Sequence, residues 1–392
     1  MRQQKTRFVS FLVLIHLAFA LIGTATTLLG VILPALAFRF DLSDAQCGNL
    51  FTVHFAGSLC GTFLGERLWL RLGFPATIAL GLILMSAGVL GIGFFAFNGT
   101  LASIFLNGVG IGLAIPATNL LVSALNPARA AAALNILNFV WSSGAMLGPA
   151  FIGLLSNGFQ IAFPLAVLAA ALLVSAVGFA FFLKFAMLPL VLPSSRGTLD
   201  FSSPLSNVWA GLFAPVIAAL LFFSVGAENS LSGWLTAYSL RLPDASPRSL
   251  WSSLVTFFWL AFLLGRLFAP FFLQRLSEKK FILGCLWCGL IGASGLLLSS
   301  NYFVIASGTA LAGFGLAPVF PTLLAQFTRR FGETDSTKWL FVAGTLGGAA
   351  ITSLIGLLSS ATGNLQIGLS VTFFCFLLML LLFSLLDRRS LN

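Results

Sequence analysis

The chain is a succession of apolar runs, each long enough to cross a hydrocarbon core, separated by short polar or basic breaks. A membrane-spanning helix needs roughly 20 such residues. The runs fall at 8–37, 46–70, 74–97, 100–124, 130–156, 162–185, 208–237, 249–274, 281–300, 302–327, 337–360 and 365–386. They predict an all-α membrane protein of twelve transmembrane helices. A soluble fold is excluded by the charge supply. Only 8% of the 392 residues are charged, against 59% apolar. A soluble domain carries roughly 25% charged residues, so the surplus apolar surface must face lipid. The first run follows the basic stretch Met1–Arg7 but extends to Phe38, too long for the core of a signal peptide, and reads as a retained helix.

The basic residues fix an orientation. With the N-terminus inside, sixteen of the 20 Lys and Arg lie in inner segments, and the outer loops hold only Arg39, Arg241 and Arg248. The remaining one, Arg266, lies within span 8. This asymmetry places both termini in the cytoplasm, and a bacterial cytoplasmic membrane is expected. Because the net charge of +10 is dispersed among short loops, it marks topology rather than a nucleic-acid surface. Cys285 and Cys288 form a Cys-x-x-Cys pair, but inside an apolar run, so no metal or redox centre is expected there.

A shift of about 203 residues superimposes the two halves. Gly23 and Gly30 fall on Gly226 and Gly233, and Gly61 on Gly265. Gly-Ile-Gly-Leu-Ala at 110–114 falls on Gly-Phe-Gly-Leu-Ala at 313–317, and Ile-Gly-Leu-Leu at 152–155 recurs at 355–358. The expected organisation is a six-helix bundle at 1–188, a cytoplasmic linker at 189–207 and a second six-helix bundle at 208–392. Two parallel six-helix repeats describe the major facilitator architecture, whose substrate site lies between the halves near the midplane.

Four segments carry a closer resemblance: 135–149 (Asn-Ile-Leu-Asn-Phe-Val-Trp-Ser-Ser-Gly-Ala-Met-Leu-Gly-Pro), Ser224–Asn229 followed by Gly233-Trp234, Trp259–Arg266, and Leu316–Thr322. With these the chain resembles the fucose/proton symporter family and related sugar transporters of the major facilitator superfamily. The resemblance implies rocker-switch transport of a small polar solute, with a monosaccharide first in line. Arg71 and Gly73 match the superfamily's loop between helices 2 and 3, where Leu70 stands in place of its Asp. Gly30 and Ile115 stand where the family's proton-coupled members carry acids. Any coupling to H+ or Na+ therefore rests mainly on Glu228, near the middle of span 7, where a charge needs a cavity or a partner.

Further site candidates follow from chemistry. Sugar hydroxyls both donate and accept, as an Asn amide does, and the apolar face of a pyranose stacks on an aromatic ring. Asn135, Asn138 and Trp141 share one face of span 5, and Asn229 and Trp234 neighbour Glu228 on span 7. Trp259 on span 8 and Thr27 on span 1 complete the substrate-binding set. Arg266, His16, His54 and Arg71 join Glu228 as coupling or gating candidates. No nucleotide-binding loop or catalytic cluster is present in the sequence, so no cofactor is expected, and the chain is expected to act as a monomer. Export of apolar drugs, suggested by 42 Phe, is the alternative. A membrane enzyme or a sensor is the reading from a different class.

Overall fold

The computed structural model describes residues 2–126, 129–184, 208–242, 254–331 and 336–388. They form thirteen helices: α1 (Arg2–Phe40), α2 (Asp44–Leu72), α3 (Phe74–Phe94), α4 (Phe97–Leu125), α5 (Ala130–Leu155), α6 (Ala162–Lys184), α7 (Val208–Ser239), α8 (Leu254–Leu273), α9 (Glu278–Leu298), α10 (Tyr302–Leu316), α11 (Val319–Phe331), α12 (Ser336–Thr362) and α13 (Leu365–Arg388). The protein is an integral membrane protein: eleven spans among the described residues are long and apolar enough to cross a bilayer. α2 is not among them: between Asp44 and Glu66 it carries no charge, but Gln46, Asn49, His54 and several small residues lower its hydropathy. Its 29 residues nonetheless extend about 44 Å, enough to make a twelfth crossing. The expected linker at 189–207 lies outside the described residues, as do 249–253 at the start of predicted span 8.

Predicted span 10 differs from expectation. It is broken into α10 and α11 at Ala317-Pro318, where proline lacks the donor that would continue the ladder. Below the break the Pro318 carbonyl is taken up by Thr322, whose backbone N (3.1 Å) and Oγ1 (2.6 Å) both donate to it. By contrast, Pro116 and Pro149 lie inside unbroken helices. The α2–α3 turn is made at Gly73, whose φ of 81° is left-handed backbone that favours glycine, with Pro75 in the first turn of α3.

Two compact units are distinguished: residues 1–40 with 53–195, and residues 41–52 with 196–392. In the first, α1 packs on α5 and α6, and α3 on α4 and α6. In the second, α7 packs on α12 and α13, and α9 on α10 and α13. The sequence repeat is thus a repeat of packing. Its tightest expression is the crossing of Gly23 and Gly144 in the first unit, and of Gly226 and Gly347 in the second. At each crossing, small residues let backbones meet where lipid provides no hydrophobic drive. The outward surfaces stay apolar, with Leu298 86%, Phe303 79% and Val174 71% exposed, as a lipid-facing surface requires.

Helix ends are closed by side chains. Asn301 Oδ1 caps α10 by accepting from the backbone N of Phe303 and Val304. Arg39 donates to the carbonyls of Ile92, Gly93 and Phe95 at the end of α3. Gln366 does the same at the end of α9, donating to the carbonyls of Leu296, Leu297 and Ser299. Asn301 thereby satisfies N–H groups at a helix start, and Arg39 and Gln366 satisfy carbonyls that helix ends leave without partners.

Candidate functional site

In the second unit, α7 carries the acid. Glu228 is half-buried, and its charge interacts with that of Arg266 on the neighbouring α8. The Arg266 guanidinium lies 4.7 Å from the centre of the Phe262 ring, which adds a cation–π contact. Glu228 and Arg266 each partly oppose the other's desolvation, and ionisable groups at this depth need such a partner or a cavity. One turn before Glu228, the Ser224 hydroxyl is buried with no hydrogen-bond partner among the described residues. Asn229 Nδ2 donates back to Val225 O at 2.8 Å.

The tryptophans of this unit sit deeper than a sugar platform would. Trp234 is fully buried, and its Nε1 donates to Thr352 O of α12 at 3.0 Å. Trp259 is 1% exposed and makes edge contacts with Phe258 and Phe262 at 5.2 and 5.1 Å. Both placements are those of packing residues. Small and polar residues of α7 are also partly taken up by packing. Ser230 pairs with Thr352 (3.1 Å), Ser232 donates to Asn229 O, and Gly233 meets Phe51 and Thr352.

In the first unit, Asn138 and Trp141 lie one turn apart on α5, both half-buried. Asn138 Nδ2 donates to Leu134 O at 2.9 Å. Asn135, a turn earlier, is exposed. On α1, Thr24 Oγ1 donates across to Gly144 O of α5 at 2.9 Å. The Thr27 hydroxyl turns back to the carbonyls of Gly23 and Thr24 in its own helix. His16 Nδ1 likewise bonds Leu12 O at 2.7 Å. His54 is 4% exposed, packs edge-on to Phe55, and has no hydrogen-bond partner for Nδ1 among the described residues. Arg71 is exposed in the last turn of α2, at the α2–α3 turn.

The structure thus gathers Glu228 and Arg266 in one unit and Asn138 and Trp141 in the other. Trp234, Trp259 and Thr27 are committed to packing or to their own helix. Two sets of residues escape a reading of the sequence. Thr352 on α12 is one, because a lone Thr in an apolar run carries no signal. The other is Asp44 with Arg241, 197 residues apart, each of which reads only as a loop charge. Burial works to raise the Asp44 carboxyl, but hydrogen bonds from Arg241 and Ser359 and the Arg241 charge outweigh it and hold the group below the usual carboxylate range. The pair is therefore formed above that range and lost only as pH falls through the lowered value.

The family model described as Major Facilitator Superfamily matches residues 15–338. A putative glucose/galactose transporter of Helicobacter pylori (strain J99) is 25% identical over 384 residues, covering 91% of this chain and 92% of that protein. The glucose/mannose transporter GlcP of Bacillus subtilis (strain 168) is 31% identical over 139 residues, covering 34% of this chain and 33% of the relative. Among solved structures, the major facilitator transporter FucP in the outward conformation has a TM-score of 0.67 at 18% identity, covering 95% of this chain and 98% of that one. That likeness concerns the fold.

Proposed function

Because the chain belongs to the Major Facilitator Superfamily, we propose that it transports a monosaccharide, a hexose, across the membrane by alternating access. The observation that carries this reading is the match to a putative glucose/galactose transporter along 91% of the chain. The chemistry of the helices supports it. A half-buried acid and an Asn on α7, and an Asn and a Trp on α5, offer the donors, acceptors and aromatic edge that a sugar needs. An apolar cargo would have no use for an acid and two amides on these helices. Glu228, Asn229, Asn138 and Trp141 are the proposed substrate contacts. Arg266, on the neighbouring helix, is the proposed charge partner of Glu228, and His54, with its open Nδ1, is the second candidate for a coupling group. The protein works as a monomer in a bacterial cytoplasmic membrane with both termini in the cytoplasm.

Uptake of radiolabelled hexoses into proteoliposomes tests the reading. Saturable uptake of glucose or galactose is expected. Absence of saturable uptake for every monosaccharide, together with efflux of apolar drugs, would replace it with the export reading. In the same assay Asn138→Ala and Trp141→Ala are each expected to weaken apparent affinity roughly tenfold, since a hydrogen bond left unmade costs ~1–3 kcal/mol. Both purified variants are expected to stay monodisperse. Unchanged affinity in well-folded protein would assign the two residues to packing.

A further inference from the structure

The turn from α8 to α9 sets cations above an apolar surface. Arg275 lies two residues past α8, and Lys280 lies in the first turn of α9. Both are exposed, and neither makes an ion pair among the described residues. The acid of this turn, Glu278, is already engaged. Its Oε2 accepts from Arg329 of α11 and from Gln326 Nε2 at 3.2 Å. Ser277 is engaged as well, its Oγ accepting from the backbone N of Lys280 and so capping α9. Two positive charges are therefore presented with no carboxylate paired to either.

The surface that continues from these cations is hydrocarbon. On α8, Leu267, Phe268 and Phe271 are exposed. On α9, Lys280, Trp287 and Ile291 follow at i, i+7 and i+11, which puts them on one face. Trp287 is 56% and Ile291 60% exposed. The Arg275 guanidinium lies 4.3 Å from the centre of the Phe271 ring, a cation–π contact that keeps the charge at the end of the apolar face. Across the turn Phe272 stacks on Phe281, with ring centres 6.1 Å apart, and ties the two helix ends together. The 20 residues of α8 extend about 30 Å, the thickness of the hydrocarbon core. Arg275, just past that length, falls in the headgroup layer.

A soluble anion would use the charges and leave the apolar faces bare. The molecule that offers a phosphate and then hydrocarbon, in that order, is an anionic phospholipid. A guanidinium can grip its phosphate with two parallel hydrogen bonds, and an ammonium adds a point charge.

We propose that Arg275 and Lys280 form a binding site for an anionic glycerophospholipid, with its phosphate between the two cations and its acyl chains along the exposed faces of α8 and α9. The site lies wholly within the second unit and is independent of which solute is carried.

Thermal unfolding of the full chain in detergent tests it. Phosphatidylglycerol, phosphatidylcholine with the same acyl chains, or inorganic phosphate is added. Phosphatidylglycerol is expected to raise the midpoint roughly 3 °C above phosphatidylcholine, as a ligand bound only by the folded state does. Inorganic phosphate is expected to give no shift. Arg275→Gln with Lys280→Gln is expected to abolish the difference while melting as wild type does in phosphatidylcholine, which shows that the variant folds. Arg67→Gln with Arg129→Gln removes two exposed charges from the first unit and is expected to keep the full difference. Lys280→Gln alone is expected to lose part of it, and serves if the double variant does not fold. Equal midpoints in the two lipids for wild type overturn the site, as does a full difference in the Arg275 and Lys280 variants. An equal loss in the first-unit pair reduces the effect to general surface charge and also overturns it. A shift with inorganic phosphate as large as that with phosphatidylglycerol rejects the lipid.

Discussion

Glu228→Gln is expected to reduce hexose uptake by tenfold or more and, if wild type concentrates its sugar, to abolish that accumulation. Two separate losses combine. First, the carboxylate is a stronger acceptor than an amide for a sugar hydroxyl, since hydrogen bonds to charged groups contribute ~1.5–3 kcal/mol. Second, the substitution removes the negative charge that opposes Arg266. Breaking a fully buried pair costs ~3–5 kcal/mol, and the half-buried setting of Glu228 brings that figure down. The two losses can be told apart. Pairing Glu228→Gln with Arg266→Met removes the cation as well, so thermal stability of the purified protein is expected to recover while uptake stays low. Uptake that recovers along with stability would make Glu228 a structural partner of Arg266 and nothing more. Coupling is read separately, by imposing a proton or sodium gradient on wild type. If wild type merely equilibrates its sugar under either gradient, the protein is a uniporter. If wild type concentrates sugar and Glu228→Gln does so equally well, the coupling group lies elsewhere, and His54 is next to be tested.

The second large effect falls on the fold. Gly144→Leu and Gly347→Leu are each expected to prevent recovery of monodisperse protein. A Cβ at Gly144 would overlap the Ala20 carbonyl oxygen, and one at Gly347 that of Phe222. Neither obstacle is a flexible side-chain end that can swing away. The helix backbones must separate, and α1 would then lose its seat on α5, or α7 its seat on α12. Overpacking that repacking can absorb costs ~1–3 kcal/mol. Here the neighbour is backbone, so more is expected, and in lipid no hydrophobic drive holds the parted helices together. Gly284→Ala is the control, for nothing lies within 4 Å of the added methyl. Size-exclusion profiles of detergent-purified protein decide the matter. A sharp wild-type peak for either leucine variant would show that these crossings tolerate separation.

The two leucine variants address the same contact twice, and sequence reaches that symmetry only in part. The match of Gly23 to Gly226 identifies helix-contact faces but not their partners. The partner glycines, Gly144 and Gly347, emerge from the packing of α1 on α5 and α7 on α12. The site is legible to a similar depth. Glu228 stands out because an acid in mid-span is costly, and Asn138 and Trp141 because polar and aromatic residues share one face of a helix. Trp234 shows the same pattern of an aromatic beside polar neighbours, yet its indole N–H is taken by Thr352. Composition does not distinguish an indole facing a cavity from one facing another helix.

By itself the sequence determined that this chain lives in a bilayer and that it is a doubled unit. Both follow from one-dimensional quantities, namely how long an apolar run lasts, where its charges fall, and at what offset the pattern returns. Tertiary structure alone decided which polar groups meet. It put Glu228 and Arg266 on neighbouring helices, gave Trp234 to α12, broke the tenth span at Pro318, and brought Asp44 to Arg241. The physical reason is that lipid dictates the outside of each helix through hydrophobicity, which composition records. The inside is dictated by which faces meet at close range, and that depends on the rotation and crossing of helices far apart in the chain.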